Sequence, residues 1–231
     1  PIVVKKETWS SSIVLKNFNT FKDISLKEHR DILLGIAPEY LFHQAKEKDL
    51  IEFYNIVKFG LNTAVVLLPD YKGLHHTFRY RYKQVGDEIK KWVAQHNTTS
   101  NYAYCNLNEN PITLIVEGTR DFLTASLCGY SVIALPSAGF KKIDNECLKD
   151  RVCIFIDDDD GKNSMIELYQ NAICEKTFFN HKIFKEHFKC EAKDFSDYLY
   201  HFEDLEHFKN SFEYYTSLMK NDNIDKIDWL D

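Results

Sequence analysis

Three short apolar runs in the second half of the chain set its pattern. They are Ile112–Val116 (I-T-L-I-V), Ser131–Leu135 (S-V-I-A-L) and Val152–Ile156 (V-C-I-F-I). Each is rich in β-branched residues and lacks polar alternation, the mark of a strand buried on both faces. The segments between them read as helices: Asp121–Cys128, then a stretch from the loop P-S-A-G to about Leu148, then Ser164–Cys174. Thr177–Phe184 is a fourth candidate strand. Strands alternating with helices predict a parallel sheet with right-handed crossovers, an α/β fold.

The first half has a different rhythm. Ser25 with Glu28 three residues on forms a capping box ahead of L-K-E-H-R-D-I-L-L. Pro38 ends that helix or starts the next, which runs through Tyr40–Lys48, and Asp49–Val57 adds a short amphipathic stretch. Ala64–Leu68 then reads as a strand, P-D-Y-K-G as its turn, and His76–Tyr82 (H-T-F-R-Y-R-Y) as the returning strand. Period two puts Arg79 and Arg81 on one face and Phe78, Tyr80 and Tyr82 on the other. Leu205–Met219 is an aromatic-rich helix before an acidic tail. The divisions expected are a helical segment 1–60, a mixed α+β basic hairpin subdomain 61–108, a parallel-sheet domain 109–200, and a C-terminal helix with tail 201–231.

Composition narrows the picture. An apolar content of 44% is enough for a packed core, which excludes wholesale disorder. The longest apolar runs have fewer than ten residues and no signal-peptide pattern opens the chain, so the expectation is a soluble cytoplasmic protein without a membrane partner. Six scattered cysteines without a C-x-x-C pair argue against a zinc ribbon or a disulfide framework; most read as buried fillers. The net charge of −6 would weigh against nucleic acid, but its distribution reverses that inference. Lys72, Arg79, Arg81, Lys83, Lys90 and Lys91 lie within one stretch opposed only by Asp87 and Glu88, with Phe78, Tyr80, Tyr82 and Trp92 interleaved. Charge concentrated in this way, with aromatics for base stacking, is a nucleic-acid signature. His75 and His76 read as hairpin surface, and Trp229 in the tail I-D-W-L-D as a packing residue.

The chemistry lies where the strands end. Ile112–Val116 runs into Glu117, Gly118 and, after two residues, Asp121; Val152–Ile156 runs into Asp157, Asp158, Asp159 and Asp160. Ligands of open α/β sheets bind outside the carboxyl ends of the strands. Neighbouring strands would thus gather Glu117, Asp121, Asp157 and Asp159, and converging carboxylates repel unless a cation sits among them. An oxygen-only set suits Mg²⁺ or Mn²⁺ rather than zinc.

V-E-G-x-x-D after a strand, followed by a strand ending in D-x-D, resembles the Toprim domain shared by bacterial-type primases, type IA and type II topoisomerases, OLD-family nucleases and recombination proteins. A-L-P-S-A-G (134–139) resembles the glycine-bearing loop after its second strand, and K-D-F-S-D-Y-L (193–199) the segment that closes it in primases. Upstream, V-V-L-L-P-D-Y-K-G-L-H-H-T-F-R-Y-R (65–81) is similar to the basic hairpin that precedes Toprim in DnaG-type primases. The usual D-x-D-x-A-G reads D-D-D-D-G-K here, with Gly161 at the alanine position and Lys162 at the glycine position, which leaves the ligand register within Asp157–Asp160 open.

The resemblance implies the RNA-polymerase core of a primase, making short primers from NTPs on a single-stranded DNA template. It implies Asp157 and Asp159 as Mg²⁺ or Mn²⁺ ligands, Asp121 completing or supporting the site, Glu117 as ligand or general acid/base, and Asp194 holding an additional ion. Arg79, Arg81, Lys83, Lys90 and Lys91 would track phosphates, and Trp92 or a tyrosine would stack on a base. A replicative helicase is a candidate partner, although the sequence has no G-x-x-x-x-G-K-[ST] motor motif. The primase zinc module has no counterpart, and a chain beginning at Pro1 is compatible with a fragment whose missing part held it. Two alternatives stay open: a Toprim nuclease that activates water with the same cluster, and a catalytically idle DNA-binding module of a phage or mobile element.

Overall fold

The computed structural model describes residues 33–45, 57–60, 63–69, 75–82, 92–94, 103–136, 143–156, 162–179, 181–189 and 192–221. The capping-box helix start at Ser25, the hairpin turn after Pro69, the loop after Pro136 and the run Asp157–Gly161 lie outside these residues.

Helix α1 (Glu39–Gln44) begins directly after Pro38, whose φ of −58° suits a helix start. A four-stranded antiparallel sheet follows in the order β1 (Val57–Gly60), β2 (Thr63–Pro69), β3 (His75–Tyr82), β4 (Trp92–Ala94). The expected hairpin is β2 with β3; strands β1 and β4 on either side of it were not foreseen. β1 (V-K-F-G) and β4 (W-V-A) are too short to show an alternation of their own, and they exist by pairing with a longer neighbour.

The second sheet has five strands in the order β5-β7-β6-β8-β9. These are β5 (Tyr104–Asn106), β6 (Ile112–Glu117), β7 (Ser131–Leu135), β8 (Val152–Phe155) and β9 (Glu175–Phe178). β7, β6, β8 and β9 are parallel, and β5 is an antiparallel edge. The helices are α2 (Gly118–Leu127), α3 (Lys162–Asn171), α4 (His181–Phe188), α5 (Phe195–Tyr200) and α6 (Leu205–Asn221).

The apolar runs divide strictly by parity, as buried strands must. Leu114, Val116, Val132, Ala134, Ile154 and Ile156 join one core cluster with Phe122, Leu123 and Leu127 of α2 and Phe195, Phe208 and Phe212 of α5 and α6. Ile115, Ile133, Leu135, Cys153 and Phe155 join the other, with Met165 and Leu168 of α3 and Cys147 and Leu148. The result is a sheet covered by helices on both faces, the α/β class expected. Leu33, Ile36, Leu41, Phe42, Val66 and Leu68 belong to the first cluster, so α1 and β2 share the core of the five-stranded sheet. Hydrogen bonds tie the N-terminal segment down: the Tyr40 hydroxyl donates to Leu199 O (2.8 Å), and Leu205 N to Gln44 Oε1 (2.8 Å).

Four boundaries differ from expectation. α2 starts at Gly118, three residues before Asp121, because Gly118 at φ +78° turns the chain straight from strand to helix. Among the described residues, the segment before Leu148 shows a 3₁₀ turn, Asn145–Leu148, with the Asp144 carboxylate accepting from Glu146 N. α3 ends at Asn171, where Lys176 Nζ donates to the carbonyls of Tyr169 and Ala172 and closes the helix end. That places β9 at Glu175–Phe178, and the rest of the expected strand becomes the start of α4. At the amino ends of the strands Arg151 donates to Asn110 O (3.2 Å), Thr113 Oγ1 (3.2 Å) and Ser131 Oγ (3.0 Å), so one guanidinium binds β6, β7 and β8 together.

Candidate metal and nucleic-acid site

β6 and β8 are hydrogen-bonded parallel neighbours, with Ile115 opposite Phe155. One residue further, Ile156 N donates to Ile115 O at 2.9 Å. Glu117 therefore ends one strand beside the point from which the chain leaves the other towards Asp157. The two connections then part: α2 packs on one face of the sheet and α3 on the opposite face. Such divergence between adjacent strands opens a crevice at their carboxyl ends, the ordinary ligand position of open α/β sheets. Asp157 and Asp159 themselves lie outside the described residues, whereas the residues on either side of that run, Ile156 and Lys162, are placed.

Glu117 sits at the N-cap position of α2 with extended backbone (φ −105°, ψ 137°), yet its side chain makes no capping hydrogen bond. Helix capping is thus not its role. A Cβ added to Gly118 would meet nothing within 4 Å, so the demand for glycine there is its positive φ rather than lack of space.

Asp121 is buried in the first turn of α2 and faces α5. Its Oδ1 accepts from Ser196 N (3.0 Å) and from the Ser196 hydroxyl, which also lies 3.1 Å from Thr124 Oγ1. Burial, reinforced by the charge of Asp194, pushes the Asp121 carboxyl up to about 8 against the opposing effects of Ser196 and Arg120. Asp194 is the N-cap of α5: its Oδ1 accepts from Asp197 N at 2.7 Å, and its Oδ2 stands 4.0 Å from Arg120 Nη1. Burial, with the charge of Asp197, raises the Asp194 carboxyl. Arg120 Nη2 donates to Asp197 Oδ1 at 3.3 Å, and the guanidinium lies 5.4 Å from the centre of the Tyr200 ring. Burial disfavours the charge on Arg120, but Asp194, Asp121 and Asp197 outweigh it and raise its pKa.

Arg120, Ser196 and Asp197 were not singled out from the sequence. The available signal was an arginine inside V-E-G-T-R-D, a motif otherwise acidic, paired with an acidic segment at 194–197. Among the described residues no group of three or more histidine, cysteine, aspartate or glutamate side chains is arranged to hold a metal ion.

In the small sheet the register sets Arg79 opposite Val66 and Ala94, and Arg81 opposite Ala64 and Trp92. Directly opposed residues share a face. Arg79, Arg81 and Trp92 therefore stand at register positions of one parity. Phe78, Tyr80 and Tyr82 belong to the other. Lys83, Lys90 and Lys91 lie outside the described residues.

The arrangement has counterparts among solved structures. The DnaG catalytic core superposes with a TM-score of 0.54 at 10% identity, over 88% of this chain and 79% of that one. The primase fragment of the bacteriophage T7 primase-helicase gives 0.48 at 15% identity, covering 74% and 69%. The zinc-binding and RNA-polymerase domains of the Aquifex aeolicus primase give 0.48 at 14%, covering 95% and 71%. No protein-family model matches the chain, and no curated protein matches its sequence. The chain has the fold of a DnaG-type primase catalytic core. No helix among the described residues is long and apolar enough to cross a membrane.

Proposed function

We propose that the protein is a primase-type nucleotidyltransferase that makes short primers from NTPs on single-stranded DNA. One observation carries the reading. In a DnaG-core fold, Glu117 ends β6 directly beside the strand that leads into Asp157–Asp160. A basic sheet precedes it, with Arg79, Arg81 and Trp92 at register positions of one parity.

The donor set is made of carboxylate oxygens alone, which fits Mg²⁺ or Mn²⁺. Glu117, Asp157 and Asp159 would hold the ion. When bound, it supplies charge that lowers the pKa of an attacking 3′-hydroxyl and neutralises phosphate. Glu117, not engaged in capping, can also take or give a proton at its carboxylate. Asp121 positions α5 through Ser196. Arg79, Arg81, Lys83, Lys90 and Lys91 neutralise backbone phosphates and Trp92 offers a stacking face. A replicative helicase is the partner such a primer-maker would need at a fork.

The test is a product assay with labelled NTPs, single-stranded DNA and Mn²⁺ or Mg²⁺, with products sized. Short labelled oligomers that vanish in Asp157→Asn/Asp159→Asn support the reading. Shortened DNA without labelled product would replace it by a nuclease. DNA binding without either product would leave a non-catalytic replication module.

A further inference from the structure

The V-E-G-x-x-D motif and the K-D-x-x-(D/E)-x-L segment, 70 or more residues apart, meet where α2 packs against α5, and a cation is already present there. Arg120 lies in the first turn of α2 between Gly118 and Asp121. Its guanidinium reaches both carboxylates of the α5 start, Asp197 Oδ1 at 3.3 Å and Asp194 Oδ2 at 4.0 Å. Tyr200, one turn on from Asp197, covers it at 5.4 Å. The other Asp194 oxygen is engaged by Asp197 N at 2.7 Å. Ser196, between the two acids, carries no charge and gives its hydroxyl hydrogen to Asp121.

We infer that Arg120 is a built-in cation that occupies the place of an additional metal ion at Asp194 and Asp197, so that the divalent ions of this protein are confined to Glu117 and the Asp157–Asp160 loop. The inference rests on the metal reading above only for the second half of that statement. A guanidinium is planar, permanently charged and weakly hydrated, and its fork can bridge two carboxylates at no desolvation cost comparable to that of Mg²⁺. A divalent ion bound by the same oxygens would be pressed against that fixed positive charge. One Asp194 oxygen is tied to the helix cap, which further depletes the donors a metal would need. Arg120 also fixes α5 against α2 whether or not metal is present, and so orients Ser196 towards Asp121.

Counting bound Mn²⁺ by the loss of its free electron-spin-resonance signal tests this without reference to activity. Asp194→Asn keeps the cap, because asparagine is as good an N-cap as aspartate. It is expected to bind the same number of Mn²⁺ ions with the same affinity as the wild type. A lost ion, or affinity weakened tenfold, would make Asp194 a metal ligand and overturn the inference. Arg120→Gln, confirmed folded by circular dichroism, is expected to gain one weaker Mn²⁺ site. That gain should disappear in Arg120→Gln/Asp194→Asn and should not occur in Arg120→Lys. A folded Arg120→Gln protein with the wild-type count would also overturn it. If Arg120→Gln does not fold, Asp194→Asn alone decides. The Asp157→Asn/Asp159→Asn protein separates the two readings: its failure to lose the wild-type ions would refute the loop as metal site while leaving the Arg120 comparison intact.

Discussion

Asp121 is ordinarily an acid of pKa 3.8, and in the fold its carboxyl is pushed up to about 8. Two influences raise it, burial first and the Asp194 charge second; the Ser196 hydrogen bonds and Arg120 act the other way. Because the folded value lies above the unfolded one, the protonated carboxyl stabilises the fold fully below pH 3.8. That contribution is lost as pH rises through the folded value near 8. The interval covers roughly four pH units, each worth about 1.4 kcal/mol for one proton, so the loss is on the order of 5 kcal/mol. Asp121→Asn keeps an oxygen acceptor for Ser196 N and the Ser196 hydroxyl but cannot ionise. In chelator, the stability of the variant relative to wild type should therefore rise by about 1.4 kcal/mol per pH unit between pH 5 and 7. By pH 8 it should be the more stable of the two. Urea unfolding of both proteins at pH 5, 6, 7 and 8 measures the difference directly, and titrating groups that do not interact with Asp121 cancel between them. A difference that stays flat across this range would refute the reasoning. It would mean that Asp121 is ionised in the fold, with the Ser196 donors and Arg120 prevailing over burial.

Three further outcomes follow from other parts of the molecule. Glu117→Gln should lower primer synthesis by about 10²-fold or more while DNA affinity hardly changes, since a proton acceptor is lost but neither size nor polarity; wild-type yield would assign Glu117 to structure. Replacing Arg79 and Arg81 together by alanine should flatten the slope of log DNA affinity against log salt by up to about 1.4, at about 0.7 per phosphate on single strands. Anisotropy titrations at several salt concentrations read this, and an unaltered slope would remove that face from the template path. Phe195 is fully buried, with ring centres 5.4 Å from Phe208, 5.5 Å from Phe212 and 6.0 Å from Tyr130. Phe195→Ala should cost about 3–5 kcal/mol in urea unfolding, and a cost below about 1 kcal/mol would show that the α5–α6 core is loosely packed.

The three central strands were legible in the sequence because each side chain in them is committed to a core. Runs such as I-T-L-I-V and V-C-I-F-I have no solvent face, and the parity of their contacts follows from the backbone alone. The β2–β3 pairing was legible for a similarly local reason, the alternation along His76–Tyr82. What tertiary structure decided is whatever depends on a partner distant in sequence. β5 is three residues long and becomes a strand only by pairing with β7; β1 and β4 do the same against β2 and β3. The aromatic run after Thr177 suits a strand or a helix equally. Its strand part ends at Phe178, opposite Phe155, the last residue of β8. The strand order that brings Glu117 beside the end of β8 is likewise a property of the assembled sheet. Above all, the state of Asp121 and the engagement of Arg120 could not be read from adjacent residues. Each depends on burial and on groups over 70 positions away, which act through space, whereas the periodicities of a sequence act only along the chain.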